Sequence, residues 1–306
     1  MGRFILRRLG QGFLVVLGVS LVVFVAMRVF GDPAKVMLPL SATTEQRAEF
    51  EHLIGLDRPL PEQFVTFIGE LATLDFGDSL WQRRPAMEVV FERLPNTLML
   101  VGAGLGFAMI MALPLGALAA LRPGGIIDRV TVIGGLVGLS TPQFWLGLLL
   151  IMLFAVQLRI LPTSGIGGVS HLILPALTLA LPSMARMVLL VRSQVIDELN
   201  QQYVKTARAK GLRFHQVLFG HALRNVMIPF ITLAGWEVIS ALAGYTVVVE
   251  SVFAWPGLGH TAIQAIQRND LFLLQAIVFT VAIAIVLVNI LLDVIYKFID
   301  PRIKLA

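Results

Sequence analysis

The side chains able to act as nucleophiles, metal ligands or phosphate holders are few and poorly spaced. His52, His171, His215, His221 and His260 form no His-Glu-x-x-His pair, the spacing that puts two imidazoles on one helical face around a metal. Cysteine is absent, which removes disulfides, thiolate nucleophiles and cysteine-type zinc sites but fixes no compartment. An intramembrane Ser/His dyad would need Gly-x-Ser-Gly within a span, and the nearest string, Pro162-Thr163-Ser164-Gly165, lacks the first glycine. A phosphate-cradling loop needs Gly-Lys-Ser/Thr, yet the five lysines follow Ala34, Val204, Ala209, Tyr296 and Ile303. No catalytic residue, metal site or bound cofactor is expected in this chain. If ATP drives it, hydrolysis must occur on another subunit. Two features remain to be positioned: a carboxylate, Glu237 beside Trp236, inside an apolar run, and a basic stretch, Tyr203 to Gly211.

The elements that must hold them are membrane helices. Of 306 residues, 57% are hydrophobic and only 14% charged, with a mean hydropathy of +0.84. That composition excludes a soluble globule, disorder and nucleic-acid binding. About 20 apolar residues cross the hydrocarbon, and six intervals are long enough: Leu9 to Met27, Leu94 to Leu121, Val130 to Leu158, Ile160 to Ala185, Asn225 to Val249 with Glu237 inside, and Leu271 to Leu292. A cleaved signal peptide is the alternative for the first, but its apolar stretch is too long and Ala26-Met27-Arg28 cleaves poorly.

Charge orients the spans. Residues 1–8, 122–129, 192–224 and 297–306 hold 14 basic and 4 acidic residues; 30–96, 159–171 and 250–270 hold 8 and 13. The positive-inside rule then predicts that both termini are cytoplasmic. The organisation expected is 1–30 for the N-terminus and first span, 31–93 for an extracytoplasmic helical cap, 94–298 for the remaining spans, and 299–306 for a cytoplasmic tail. Within the cap, Pro33, Pro39, Pro59, Pro61 and Pro85 break the chain, and helical spacing recurs over Gln46 to Ile54 and Glu62 to Leu74. The cytoplasmic segment 192–224 reads as two short helices joined at Gly211. Small residues around Gly104 and Gly135 suit close helix packing, within the chain or between copies. Pro114, Pro142, Pro175 and Pro182 should kink or interrupt spans.

Tyr203-Val204-Lys205-Thr206-Ala207-Arg208-Ala209-Lys210-Gly211, followed after nine residues by His221-Ala222-Leu223-Arg224, resembles the cytoplasmic "EAA" loop of ABC-importer membrane subunits. Ala207, Gly211 and Leu223 fall in register with the general motif; Lys205, Thr206, His221 and Arg224 do not. The variant Thr206 to Gly211, then His221 to Asn225 and Ile228-Pro229, is similar to the peptide/nickel branch. Further matching strings are Gly31-Asp32-Pro33-Ala34, Gly55 to Leu60, Asp75 to Ser79, Val249 to Gly259 and Asp300-Pro301-Arg302-Ile303, so the resemblance covers nearly the whole chain. The large segment after the first span resembles the B-type subunit.

The resemblance implies an all-α polytopic membrane protein of the type I ABC-importer fold, with six spans and a helical extracytoplasmic segment after the first. It implies a permease of the bacterial or archaeal inner membrane that translocates di- or oligopeptides. Glutathione, nickel chelates, opines and sugars are alternative cargoes. The implied partners are a C-type permease, two cytoplasmic ATP-binding subunits carrying ATP and Mg²⁺, and an extracytoplasmic binding protein. Tyr203, Thr206, Ala207, Arg208, Ala209, Lys210 and Gly211 would form the coupling loop, for which charge alone offers a lipid-held basic loop instead. Trp236 and Glu237 would line the path, or Glu237 would pair with Arg186 or sit at a subunit seam. Glu250, Trp255, Pro256 and Gly257 would form an outer gate or receptor-facing loop, although Pro256-Gly257 alone is a turn signal. Asn289 and Asp293 share a face of the last span, where a local cap or salt bridge is expected. Rival classes are an ion-driven secondary transporter, which would carry inverted repeats and mid-span ionisable groups, and a membrane scaffold.

Overall fold

The charge-free intervals become long helices in the computed structural model, which describes residues 2–30, 43–53 and 57–299. Among the described residues, five helices are long and apolar enough to cross a bilayer alone: α1 (Gly2–Phe30), α4 (Ala86–Leu121), α7 (Val169–Leu199), α9 (Phe214–Val252) and α11 (Leu271–Ile299). Two further helices, α5 (Ile126–Ser140) and α6 (Gln143–Gln157), pass only as a pair and bend by 106°. The shorter helices are α2 (Thr44–Leu53), α3 (Leu60–Thr73), α8 (Gln202–Ala209) and α10 (Leu258–Gln267). The strings Gly31 to Ala34 and Asp300 to Ile303, Gly55-Leu56, and Pro33 and Pro39 lie outside the described residues, as does most of the expected tail 299–306.

Three expectations need correction. The third span is not one rod over Val130 to Leu158. Pro142 has no N–H to donate and forces Thr141 into extended backbone (φ −85°, ψ 119°), so the helix ends at Ser140 and restarts. The fourth helix begins at Val169 rather than Ile160, because Pro162, Gly165, Gly167 and Gly168 interrupt an otherwise apolar run. It then runs 14 residues past Ala185 to Leu199, passing through Pro175 and Pro182, while α9 already begins at Phe214. The segment 192–224 is therefore helical up to Leu199, and its second short helix is continuous with α9 rather than separate.

The described residues form two compact units, one drawn from Met1–Pro95 and Gly257–Val286, the other from Asn96–Pro256 and Leu287–Ala306. In the first, Phe64, Phe67, Ile68 and Leu71 make an apolar stripe on α3 that packs with Phe24, Phe76, Val89, Leu258 and Leu273. The Phe24 ring meets Phe64 edge-on at 5.3 Å and Phe67 at 5.4 Å. Asp270 caps α11: its Oδ1 accepts from Leu273 N at 3.1 Å, while Oδ2 accepts from Ser79 Oγ at 2.5 Å and Trp81 N at 3.1 Å. One buried carboxylate thus fixes both the helix start and the 79–81 turn.

In the second unit α7 is central, packing against α5, α6 and α9. Its inner face supplies Met187, Val188, Val191 and Val195 to a core completed by Leu218, Val226 and Phe230 of α9. Small residues set the spacing: a Cβ on Gly104 would lie 3.0 Å from Ala176 O, and one on Gly135 3.1 Å from Leu189. These glycines pack within the chain. Arg192 binds Asp128 through Nε and, at 2.8 Å, Nη2, and Asp128 Oδ2 accepts from Gly124 N at 2.7 Å, joining the start of α5 to α7.

Candidate functional site

Helix α8 has only eight residues, too few to persist alone in water. It is held by Val204 and Ala207, one helical turn apart, which bury against Val217 of α9. The opposite face, Lys205, Thr206, Arg208, Ala209 and Lys210, is exposed and basic. Its end is built from backbone geometry. Gly211 takes φ +84°, its N–H donates to Arg208 O at 2.9 Å, and Leu212 N donates to Ala207 O at 3.2 Å. This is the Schellman arrangement, in which a left-handed residue after the helix satisfies its last carbonyls.

Polar contacts tie α8 to both neighbouring helices. The Tyr203 hydroxyl donates to Glu198 at the end of α7, and Asn225 Nδ2 of α9 donates to Glu198 Oε2 at 3.0 Å and to the Tyr203 oxygen at 3.2 Å. Burial, with the Glu198 carboxylate beside it, pushes the Tyr203 hydroxyl up to about 12, so it stays a donor at neutral pH. His221 meets the Tyr203 ring edge-on at 6.5 Å, and the Arg208 guanidinium lies 5.7 Å from the Phe214 ring centre. The predicted residues Tyr203 to Gly211 are thus brought together as a capped, two-point-anchored helix with a charged outer face. Glu198 and Asn225 were not anticipated as anchors; Glu198 lies in the polar segment 192–224 and Asn225 opens an apolar run, with nothing local to mark either.

The second predicted pair separates. Glu237 is 1% exposed and both its oxygens are engaged: Oε1 by Arg186 Nε at 2.5 Å, Oε2 by Arg186 Nη2 and Ser183 Oγ, each at 2.7 Å. Trp236, its neighbour in sequence, is 64% exposed. The arrangement is the Arg186 pairing weighed above, and it satisfies the carboxylate internally. The Arg186 guanidinium also lies 5.8 Å from the Tyr245 ring centre.

The third group is a buried clamp. Glu250 accepts from Thr97 Oγ1 at 2.7 Å, Trp255 donates through Nε1 to Asn96 O at 3.0 Å, and Asn96 Nδ2 donates to Pro256 O at 2.8 Å. Trp255 N also donates to Glu250 O at 2.8 Å, with Ala254 at φ +46°. The Glu250–Pro256 turn is therefore locked to the residues around Asn96, and Gly257 follows as the cap of α10. Among the described residues no group of three or more His, Asp or Glu side chains is placed to hold a metal.

Residues 1–101 match the family described as binding-protein-dependent transport system membrane component, N-terminal; residues 112–305 match the binding-protein-dependent transport system inner membrane component family. Among curated relatives, the oligopeptide transport system permease protein AppB of Bacillus subtilis is 36% identical over 99% of this chain and 100% of its own length. The di/tripeptide transport system permease protein DppB of Pseudomonas aeruginosa is 38% identical over 98% of both chains. The glutathione transport system permease protein GsiC of Salmonella typhi is 36% identical, also over 98% of both. A solved inward-facing structure of the MetNI methionine ABC transporter aligns at a TM-score of 0.58 and 20% identity, over 70% of this chain and 97% of that chain, a likeness of fold.

Proposed function

The chain belongs to the binding-protein-dependent transport system inner membrane component family, and we propose from this membership that it is the B-type permease of an ATP-driven peptide importer. It is a multi-pass membrane protein of the type I ABC-importer fold. Di- or oligopeptides, delivered by an extracytoplasmic binding protein, are the cargo; glutathione is the nearest alternative, given GsiC. ATP and Mg²⁺ act on two cytoplasmic ATPase subunits, and a C-type permease completes the path. Charge bias supports cytoplasmic termini in an inner membrane, with 31–93 on the outer side.

One observation carries the coupling role: α8 is a rigid lever, closed by Gly211 and anchored to α7 through Glu198 and to α9 through Asn225 and Val217. An ATPase groove that receives its exposed face moves both spans when the ATPases close, giving alternating access. Glu250, Trp255, Pro256 and Gly257 serve as a stiff outer turn that gates the path or meets the binding protein, and exposed Trp236 contributes to the path wall while Glu237 stays buried as the partner of Arg186. Reconstitution in proteoliposomes tests the reading. Uptake should require ATP, the ATPases and the binding protein; proton-driven uptake by this chain alone would make it a secondary transporter, and no flux a scaffold.

A further inference from the structure

Arg186 lies 13 residues from the Leu199 end of α7, about 20 Å along the helix at a rise of about 1.5 Å per residue. The charge reading opens the cytoplasmic segment at Arg192, six residues on, so Arg186 lies inside the span toward its cytoplasmic end, yet 31% of the side chain is accessible. Hydrocarbon does not solvate a guanidinium, so this face of α7 turns toward water or protein. Nε and Nη2 are committed to Glu237 and Ser183; among the described residues neither Nη1 hydrogen has an acceptor. Glu237 fixes the guanidinium plane from behind and neutralises it. Tyr245 flanks it from a π-helical turn, Ala241–Tyr245, a backbone irregularity frequent at functional sites.

We propose that Arg186, oriented by Glu237, is a cargo contact whose Nη1 hydrogens donate to the carbonyl or carboxylate oxygens of the peptide in transit. The proposal rests on the peptide-importer reading and differs from the expectation that Glu237 lines the path: the cation meets the cargo and the carboxylate positions it. Every peptide offers backbone carbonyls and a terminal carboxylate whatever its side chains, so one fixed donor grips a varied cargo. Because the pair is neutral overall, the contact is too weak to trap the peptide.

The complete complex, reconstituted with its binding protein, tests this with R186K, R186Q and the double variant R186Q/E237Q, which keeps a neutral hydrogen-bonded pair. The ratio of peptide imported to ATP hydrolysed should fall roughly ten- to hundredfold. An unchanged ratio in the double variant would overturn the proposal, as would dissociation of the complex into subunits, which would make the pair a seam contact. The chain has no cysteine, so Arg186→Cys gives a second readout in complexes whose partners also lack one. The new thiol should react with a charged, membrane-impermeant reagent and be protected by peptide; no reaction, or no protection, would count against a cargo contact. Failure of the unmodified complex to import any peptide with ATP would refute the importer reading itself.

Discussion

Replacing Gly211 separates backbone geometry from packing in the coupling helix. Gly211 has φ +84°, and a Cβ added there meets nothing within 4 Å, so the cost of a side chain lies in the backbone alone. Alanine should cost about 1 kcal/mol and β-branched valine about 1–2 kcal/mol. Proline cannot adopt this φ and deletes the N–H that donates to Arg208 O at 2.9 Å, a cost of about 3 kcal/mol or more. The hold on α8 is of the same order, since burying a valine such as Val204 contributes about 1.5–3 kcal/mol. Alanine should therefore leave α8 seated, valine should fray its end, and proline should release it. The long spans are untouched by all three, so membrane insertion should not change. The assay is peptide imported per ATP hydrolysed in the reconstituted complex, and the expected order is Gly, Ala, Val, Pro from most to least coupled. Wild-type coupling in Gly211→Pro, with the variant inserted at normal level, would refute the reasoning.

Enlarging the buried side of the same helix should act similarly: Ala207→Leu overfills the contact with Val204 and Val217 at about 1–3 kcal/mol and should lower import per ATP, whereas an unaltered ratio would mean that α8 is not seated there. Ala254 holds a left-handed conformation (φ +46°) on an exposed turn, so Ala254→Gly should stabilise by about 0.5–1 kcal/mol, read as a raised thermal midpoint in detergent. His260, on the short helix α10, is held below the ordinary imidazole range by burial and by the nearby Arg93 charge. Protonation therefore favours the unfolded chain: stability should be complete above pH about 6.5 and decline as pH falls below it. Thermal midpoints between pH about 7.5 and 5.5 should show that slope, and His260→Gln should flatten it.

Hydropathy locates the spans well because a charge inside hydrocarbon is costly, and this is a property of each residue alone. It fails at boundaries, where helical hydrogen bonding rather than lipid decides. Arg186 to Leu199 is polar in places yet remains helix, and Gly165 to Gly168 is uncharged yet is not. Pro142 breaks its helix while Pro175 and Pro182 do not, and the difference lies in the packing around them: the latter two are buried among the neighbours of α7. Gly211 showed the turn that closes α8, a local feature, but the burial of Val204 and Ala207 against Val217 was not legible. The anchors were not legible, because Glu198 and Asn225 are 27 residues apart and neither carries a periodic signal. The same holds for Trp255 with Asn96, 159 positions away, and for Asp270 with Ser79, 191 away. For Glu237, sequence showed a mid-span charge and a possible partner but not which way either side chain faced.

Cross-linking from α8 tests the central claim most directly. Cysteines placed singly at Lys205, Thr206 and Arg208, on its exposed face, should each join an introduced cysteine in the ATPase groove of the assembled complex, with yields that change on nucleotide addition. A complex that imports peptide with ATP yet gives no cross-link from any of these positions to an ATPase subunit would contradict the account.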